Sequence, residues 1–325
     1  MREKKRWLFF SLIILLSSFS LCRIYATPQS SIQVSPLLRE YTLFPGETAK
    51  DLLVFFNPSS VPQEVQIKVY DFLPADERGG LKFFQDAGWQ FSASRWILFS
   101  PKSFLLQPKE ERTLPVSIVV PENAEPGTHF AAIFGEAVSS QKQEGKENKV
   151  QVKVHVGAGT LLLINVPDVE KKRESYSGHI VSFEIHGLKQ IKSGFKQIPI
   201  GLVRNRPLIF IVRFKNTGNF AQKPEGEIEV FDFLGRKISL LKLKKQRVLP
   251  GAIIQFKVSW KPKFLFGSYL AVLRFHYGKE NNLLVERDLK FTAFSPLLIG
   301  LLMGAILLTL GIFWYQRRKR KEKRT

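Results

Sequence analysis

Ile67-Lys68-Val69-Tyr70-Asp71-Phe72-Leu73 and Ile228-Glu229-Val230-Phe231-Asp232-Phe233-Leu234 are two versions of one seven-residue phrase. Each sets an apolar side chain at every second position before breaking into Asp-Phe-Leu, the period-2 pattern of a strand with one buried face. Outward from this phrase the matches continue in the same order. Upstream, Leu53-Val54-Phe55-Phe56-Asn57 and Ile211-Val212-Arg213-Phe214-Lys215-Asn216 are apolar strands that each end on an asparagine. Downstream, Leu106-Gln107-Pro108 and Val248-Leu249-Pro250 each introduce an alternating strand that ends near Pro121 or Pro262. Then Gly127-Thr128-His129-Phe130-Ala131-Ala132-Ile133 stands against Gly267-Ser268-Tyr269-Leu270-Ala271-Val272-Leu273. Four blocks in one order imply two copies of one module.

The same alternation recurs elsewhere. Leu114, Val116, Ile118 and Val120 are interleaved with Thr113, Pro115, Ser117 and Val119, and Leu241 and Leu243 with Lys242 and Lys244. Nothing in 28–293 keeps a 3.6-residue apolar period for three turns. The expected fold is all-β: a sandwich over 27–167, a charged linker over 168–178 and a second sandwich over 179–293. Asn and Gly suit the turns because they tolerate positive φ. The repeated Asp71 and Asp232 are expected to bind nearby backbone N–H groups and not to act as catalytic carboxylates.

The two ends differ from the body. Arg2, Lys4, Lys5 and Arg6 precede an apolar run from Trp7 to Leu21, and Ala26 offers a small residue for cleavage. Residues 1–26 therefore read as a signal peptide. Phe294 to Tyr315 holds no charged residue, enough for a transmembrane helix over 294–315. Trp314 and Tyr315 suit an interfacial belt, and Arg317-Arg318-Lys319-Arg320-Lys321 opens a basic tail over 316–325 that the positive-inside rule places in the cytoplasm. The body then lies outside the cytoplasmic membrane. Within the span Gly300, Gly304 and Gly311 share one helical face suited to close helix packing.

Of the 325 residues 49 are Lys or Arg and 28 are Asp or Glu, a net of +21. The charge is unevenly divided. Residues 27–167 hold 13 basic and 15 acidic side chains, net −2, whereas 168–293 hold 24 and 11, net +13. A basic charge confined to one module argues against nucleic acid as the partner. One Cys and five scattered His exclude a disulfide scaffold and a cysteine-ligated metal site, and no cofactor or metal is expected. There is no nucleophile elbow, HExxH or P-loop, and Val156-Gly157-Ala158-Gly159-Thr160 runs into a strand, not a phosphate-binding helix. The chain does not read as an enzyme.

Three surfaces remain as candidates. The dense aromatic segment 83–104 reads first as core packing with one cross-strand ladder; the alternative is that Trp89, Phe91 and Trp96 stack on sugar rings, with Trp89, beside Gly88, the expected exposed member. Lys242, Lys244, Lys245 and Arg247 form a stripe suited to an anionic polymer or lipid headgroups, or else to protecting a strand edge. Ser139 to Lys149 is a polar insertion that reads as an exposed loop.

The series Pro45-Gly46, Val54-Phe55-Phe56-Asn57, Gly79-Gly80-Leu81, Trp96-Ile97, Leu106-Gln107-Pro108, Val119-Val120-Pro121 and Pro126-Gly127 resembles the extracellular domain of Gram-positive WxL-interacting proteins over most of 30–165. The resemblance implies two tandem immunoglobulin-like β-sandwiches on a C-terminal anchor, the first binding peptidoglycan and the second a partner surface. The expected function is a non-enzymatic, membrane-anchored surface protein that binds cell-wall polymer, a secreted surface protein, or both. The alternative is an assembly factor that offers a β-edge to a secreted client.

Overall fold

The computed structural model describes residues 32–86, 88–137, 156–168, 170, 172–193, 196–203, 207–262 and 264–322. The expected signal peptide with its cleavage site and the polar insertion expected as a loop over 139–149 lie outside these residues. The first half forms β1 (Gln33–Ser35), β2 (Leu38–Thr42), β3 (Thr48–Phe56), β4 (Gln63–Pro74), β5 (Leu81–Phe84), β6 (Ile97–Phe99), β7 (Ser103–Leu106), β8 (Glu111–Val119), β9 (Gly127–Ala137) and β10 (Val156–Val166). Two sheets, β1-β3-β8-β6 and β2-β10-β9-β4-β5, enclose a core, with β7 also paired to β4. Leu53, Phe55, Leu114, Val116 and Ile118 from one sheet meet Val65, Ile67, Ala131, Ile133, Leu162 and Ile164 from the other. These are the alternating positions of the sequence, and their burial is what holds sheet to sheet.

The second half repeats the plan with β11 (Gly178–His186), β12 (Lys189–Ser193), β13 (Lys196–Leu202), β14 (Leu208–Asn216), β15 (Glu225–Phe231), β16 (Lys237–Lys242), β17 (Ile253–Trp260), β18 (Phe266–Tyr277) and β19 (Leu283–Phe294). Its sheets are β11-β14-β17 and β12-β13-β19-β18-β15-β16. The central strands correspond in order: β3, β4, β8, β9 and β10 match β14, β15, β17, β18 and β19. In both halves an early strand joins the last one in parallel, β2 to β10 and β13 to β19. A helix, α1 (Pro296–Glu322), follows β19 almost directly.

The repeated asparagines explain why the strand-ending block recurs. Asn57 and Asn216 are both fully buried. Asn57 Nδ2 donates to the carbonyls of Val61 at 2.8 Å and of Leu106 and Gln107 at 3.1 Å, while its Oδ1 accepts from Ser59 N. Asn216 Nδ2 donates to Phe220 O and Val248 O at 2.8 and 2.9 Å, while its Oδ1 accepts from Gly218 N. Each amide thus closes its own turn and ties it to the loop that leads into β8 or β17. Those loops need a left-handed residue at the same place, Lys109 with φ 63° and Gly251 with φ 75°. The repeated aspartates are also structural. Asp71 is buried and accepts from Ser94 N and Ser94 Oγ, both at 2.9 Å. Asp232 accepts from the backbone of Leu234 and Arg236 and from the Arg236 guanidinium.

Removing one buried amide strands two or three carbonyls at once. Asn57→Ala and Asn216→Ala should each lower unfolding free energy by about 1–3 kcal/mol, read by chemical denaturation. A loss well below that at either site contradicts the equivalence of the two turns.

Candidate functional site

The two sandwiches meet in an ordered junction, built around the residues just beyond the second asparagine turn. Asn219 O accepts from Thr128 N at 2.8 Å, and its Nδ2 donates to Pro126 O and Arg173 O. Its Oδ1 accepts from Ser175 N, and Thr128 Oγ1 accepts from Ala221 N. Gly127 has φ 146°, and a Cβ there would stand 2.7 Å from Asn219 O, so only glycine admits this approach. Apolar contact is continuous as well. Phe72, Phe91, Phe130, Ala132 and Leu163 of the first sandwich belong to the same buried cluster as the core of the second. The linker is folded into the junction, with Asp168 accepting from Arg173 N and Tyr176 stacked on Phe220 at 4.7 Å.

Two acids of the first sandwich brace this pivot. Glu77, at the tip of the β4–β5 hairpin, reaches β17. Its carbonyl accepts from Gln255 N at 2.8 Å, and its carboxylate accepts from the side chains of Arg213 and Gln255. The Arg213 guanidinium, then Gln255, hold the Glu77 carboxyl below its usual range. Glu40 on β2 pairs with Arg247 at 2.8 Å and Lys223 at 3.2 Å. Burial pushes the Glu40 carboxyl up, but the two cations outweigh it and leave it lowered. Between Glu40, Tyr176, Lys223, Arg247 and Lys279 lies a cleft of about 260 Å³. Its cations already face acids, Lys279 being paired with Glu174 at 3.3 Å. Among the described residues no group of three or more His, Cys, Asp or Glu is placed to hold a metal ion.

The aromatic candidates are packing residues. Phe91 is only 7% exposed, and Trp89 and Trp96 are half-buried. Trp89 stacks on Phe130 at 5.7 Å and meets Phe91 edge-on at 5.2 Å, so the expected exposed member is instead part of a lid over β9. This lid is why β9 is buried on both faces: Ala131 and Ile133 face the sandwich core, while Phe130 and Ala132 face the cluster shared with the second sandwich. Trp96 lies 4.4 Å from the ring of His129. Phe91 is closed off by its burial, while Trp89 and Trp96, packed on Phe130 and His129, remain partly exposed. His129 is itself buried, its Nε2 on Glu125 O at 2.8 Å. Burial lowers its pKa below 6.5, the backbone contacts only partly opposing that.

The basic stripe divides. Lys242 ends β16, the edge strand of its sheet, and with Lys244 and Lys245 it is exposed, while Leu243 is buried. Lys245 pairs with Glu225. Arg247 does not join them: it turns into the junction to meet Glu40, with its Nη1 buried and unpartnered. On α1 nothing lies within 4 Å of a Cβ built at Gly300, Gly304 or Gly311. Among the described residues no helix is long and apolar enough to cross a membrane; the side chains described on α1 run unbroken only over 299–315. The uncharged stretch in the sequence is longer, Phe294 to Tyr315.

The sheet edges differ in how well they are guarded. β1 and β6 are three residues long, β16 carries Lys237 and Lys242, and β17 carries Lys257 and is met by the Glu77 carbonyl. β11 is different. It has nine residues, contains neither Lys nor Pro, and pairs only with β14 among the described residues. Val181 is exposed at a register shift in it, and Ser182 Oγ is buried with no hydrogen-bond partner. Nothing in the sequence marked this strand or Glu77, because an edge is defined by the partner a strand lacks.

No known family profile matches the chain, and no curated protein matches it. Solved structures with some likeness include the class 5 fimbriae chaperone CfaA, at 11% identity and TM-score 0.37 over 80% of this chain and 99% of that one. A Salmonella enterica SafA pilin–SafB chaperone complex gives 15% identity and TM-score 0.35 over 82% and 98%. A PapD-like domain of human CEP192 gives 15% and TM-score 0.30 over 46% and 94%. At these scores the likeness fixes neither function nor partner.

Two outcomes test the junction and its neighbour. Glu77→Ala should speed hydrogen exchange at the Gln255 amide while leaving β14 protected; unchanged exchange at Gln255 would refute the brace. His129 has a folded pKa below its unfolded value, so the unfolded chain binds the extra proton and stability rises with pH. The contribution is complete above about pH 6.5 and is lost as pH falls below it, before carboxylates of ordinary pKa near 4.5 protonate. Melting temperature should drop in that window for the native chain, and His129→Gln should flatten the drop.

Proposed function

We propose that this chain is a non-enzymatic, single-pass membrane protein whose paired immunoglobulin-like sandwiches stand outside the cytoplasmic membrane and hold a secreted client strand on the β11 edge. The free edge of β11 carries the reading. A strand laid against it gains main-chain hydrogen bonds from alternate residues on either side of the register shift at Val181, and alternate side chains supply selectivity. Natural edges of this length are normally blunted by lysine, proline, a bulge or a covering loop; of these β11 has only the register shift at Val181 among the described residues. The junction supports the reading mechanically, since an edge on a braced pair of sandwiches is presented at a fixed angle. A secreted surface protein as the client is part of this proposal; the resemblance of 30–165 to WxL-interacting ectodomains would imply it, but no family profile carries that resemblance.

Anchoring rests on the C-terminus. The part of α1 before its basic end, Pro296 to Tyr315, carries no charged residue and at 1.5 Å per residue runs about 30 Å, about the thickness of a hydrocarbon core. That basic end, Arg317 to Lys321, favours the cytoplasm. The aromatic segment that favoured a cell-wall polymer is largely engaged in packing, with Phe91 buried and Trp89 and Trp96 half-buried.

A synthetic nine-residue peptide of alternating Val and Thr serves as a probe strand. It should slow hydrogen exchange along β11 in the full chain, and Val181→Lys should abolish the effect without unfolding the module. Protection appearing on another edge, or surviving the lysine, would sink the proposal.

A further inference from the structure

Four large apolar side chains stand exposed together at one end of the second sandwich. Phe233 and Leu234 are 62% and 61% exposed, and Phe264 and Phe266 are 60% and 47% exposed. The first pair forms the tip of the β15–β16 hairpin, the third lies in the β17–β18 loop, and the fourth opens β18. The strand register brings them to one end. Phe231 pairs with Leu270, and Phe266 pairs with Phe294, the last residue of β19. A Cβ on Gly267 would lie 3.6 Å from Phe233 Cδ1, so the hairpin tip touches the start of β18.

This is also the end from which α1 departs. Ser295 N donates to Leu265 O at 2.7 Å, which ties the first turn of the helix to the residue between Phe264 and Phe266. A hairpin tip exposed to water ordinarily carries polar or glycine residues. Here Asp232, Gly235 and Arg236 make the turn, while the two residues between Asp232 and Gly235 are Phe and Leu. Two cations lie beside the apolar tips: Lys261, exposed in the adjoining loop, and Arg236 in the same turn, whose mostly exposed side chain is paired with Asp232 at 2.7 Å. Apolar tips flanked by cations, around the base of a helix that leaves the domain, match the layering of acyl chains and anionic headgroups.

The geometry points to this end of the second sandwich being seated in the lipid interface, with Phe233, Leu234, Phe264 and Phe266 at the acyl boundary and Arg236 and Lys261 at the phosphates. The inference rests on the membrane-anchored reading and goes beyond it. The sandwich is not a body swinging on a tether; its loops and helix enter the same bilayer, and the hydrogen bond from Ser295 to Leu265 couples their depths.

The test uses the full chain with Cys22→Ser, in vesicles of phosphatidylcholine and phosphatidylglycerol with or without spin-labelled lipid. Single cysteines at Leu234→Cys, Phe264→Cys, Leu307→Cys and Leu105→Cys carry a nitrobenzoxadiazole fluorophore. All four positions are exposed, so the substitutions spare the core. Labels at 234 and 264 should emit at shorter wavelength than the label at 105 and lose emission to shallow lipid-borne quenchers, as the label at 307 does to deep ones. If 307 is quenched while 234 and 264 behave like 105, the seating is wrong and the anchor stands. If 307 is not quenched, the anchor fails and the seating with it.

Discussion

Asn219 is the point on which the arrangement of the molecule turns. Its backbone carbonyl and both ends of its amide are satisfied by Thr128, Pro126, Arg173 and Ser175, two from the first sandwich and two from the linker. With both amide hydrogens donated and its oxygen accepting from Ser175 N, the Asn219 side chain is held in one orientation between the first sandwich and the linker. The contact works because Gly127 has no Cβ to block the Asn219 carbonyl. Without this pivot the acids at Glu40 and Glu77 would have no reason to find Arg247, Lys223 and Arg213.

The charge asymmetry acquires a physical role in this setting. A first half near neutrality and a second half at +13 suggest an outward-facing cationic surface. Part of that charge is instead spent inward, on two carboxylates of the first half that flank the pivot. Complementary charge of this kind fixes register more than it adds stability, since partly exposed pairs are screened by water. The remaining lysines on β16 sit where an edge strand needs protection. β11, on the other sheet, carries neither lysine nor proline and among the described residues is interrupted only by the register shift at Val181; that contrast within one module is the basis for reading β11 as the working edge.

Much of the fold was legible in the chain. The alternation of Leu114, Val116 and Ile118 placed them inward, and Asn57 and Asn216 were visible as paired turn residues, though not as buried amides. The candidate surfaces were less legible. For Trp89, Phe91 and Trp96 the sequence allows both core packing and sugar stacking, because an aromatic residue looks the same whether its face meets a sugar or Phe130; the contacts with Phe130 and His129 are those of packing. Arg247 was grouped with Lys242, Lys244 and Lys245 by proximity along the chain, although its charge is used 207 residues away at Glu40.

The linear order of residues determined which segments become strands, that the strand plan occurs twice, and that the chain ends in an uncharged stretch followed by a basic tail. Those properties are set by side-chain period and local turn chemistry, which act over a few neighbours. Tertiary structure alone decided which edge stays open, which aromatic faces are covered, and how the sandwiches are braced. Each of these depends on a partner far away in sequence, and local periodicity carries no information about what will be packed against it.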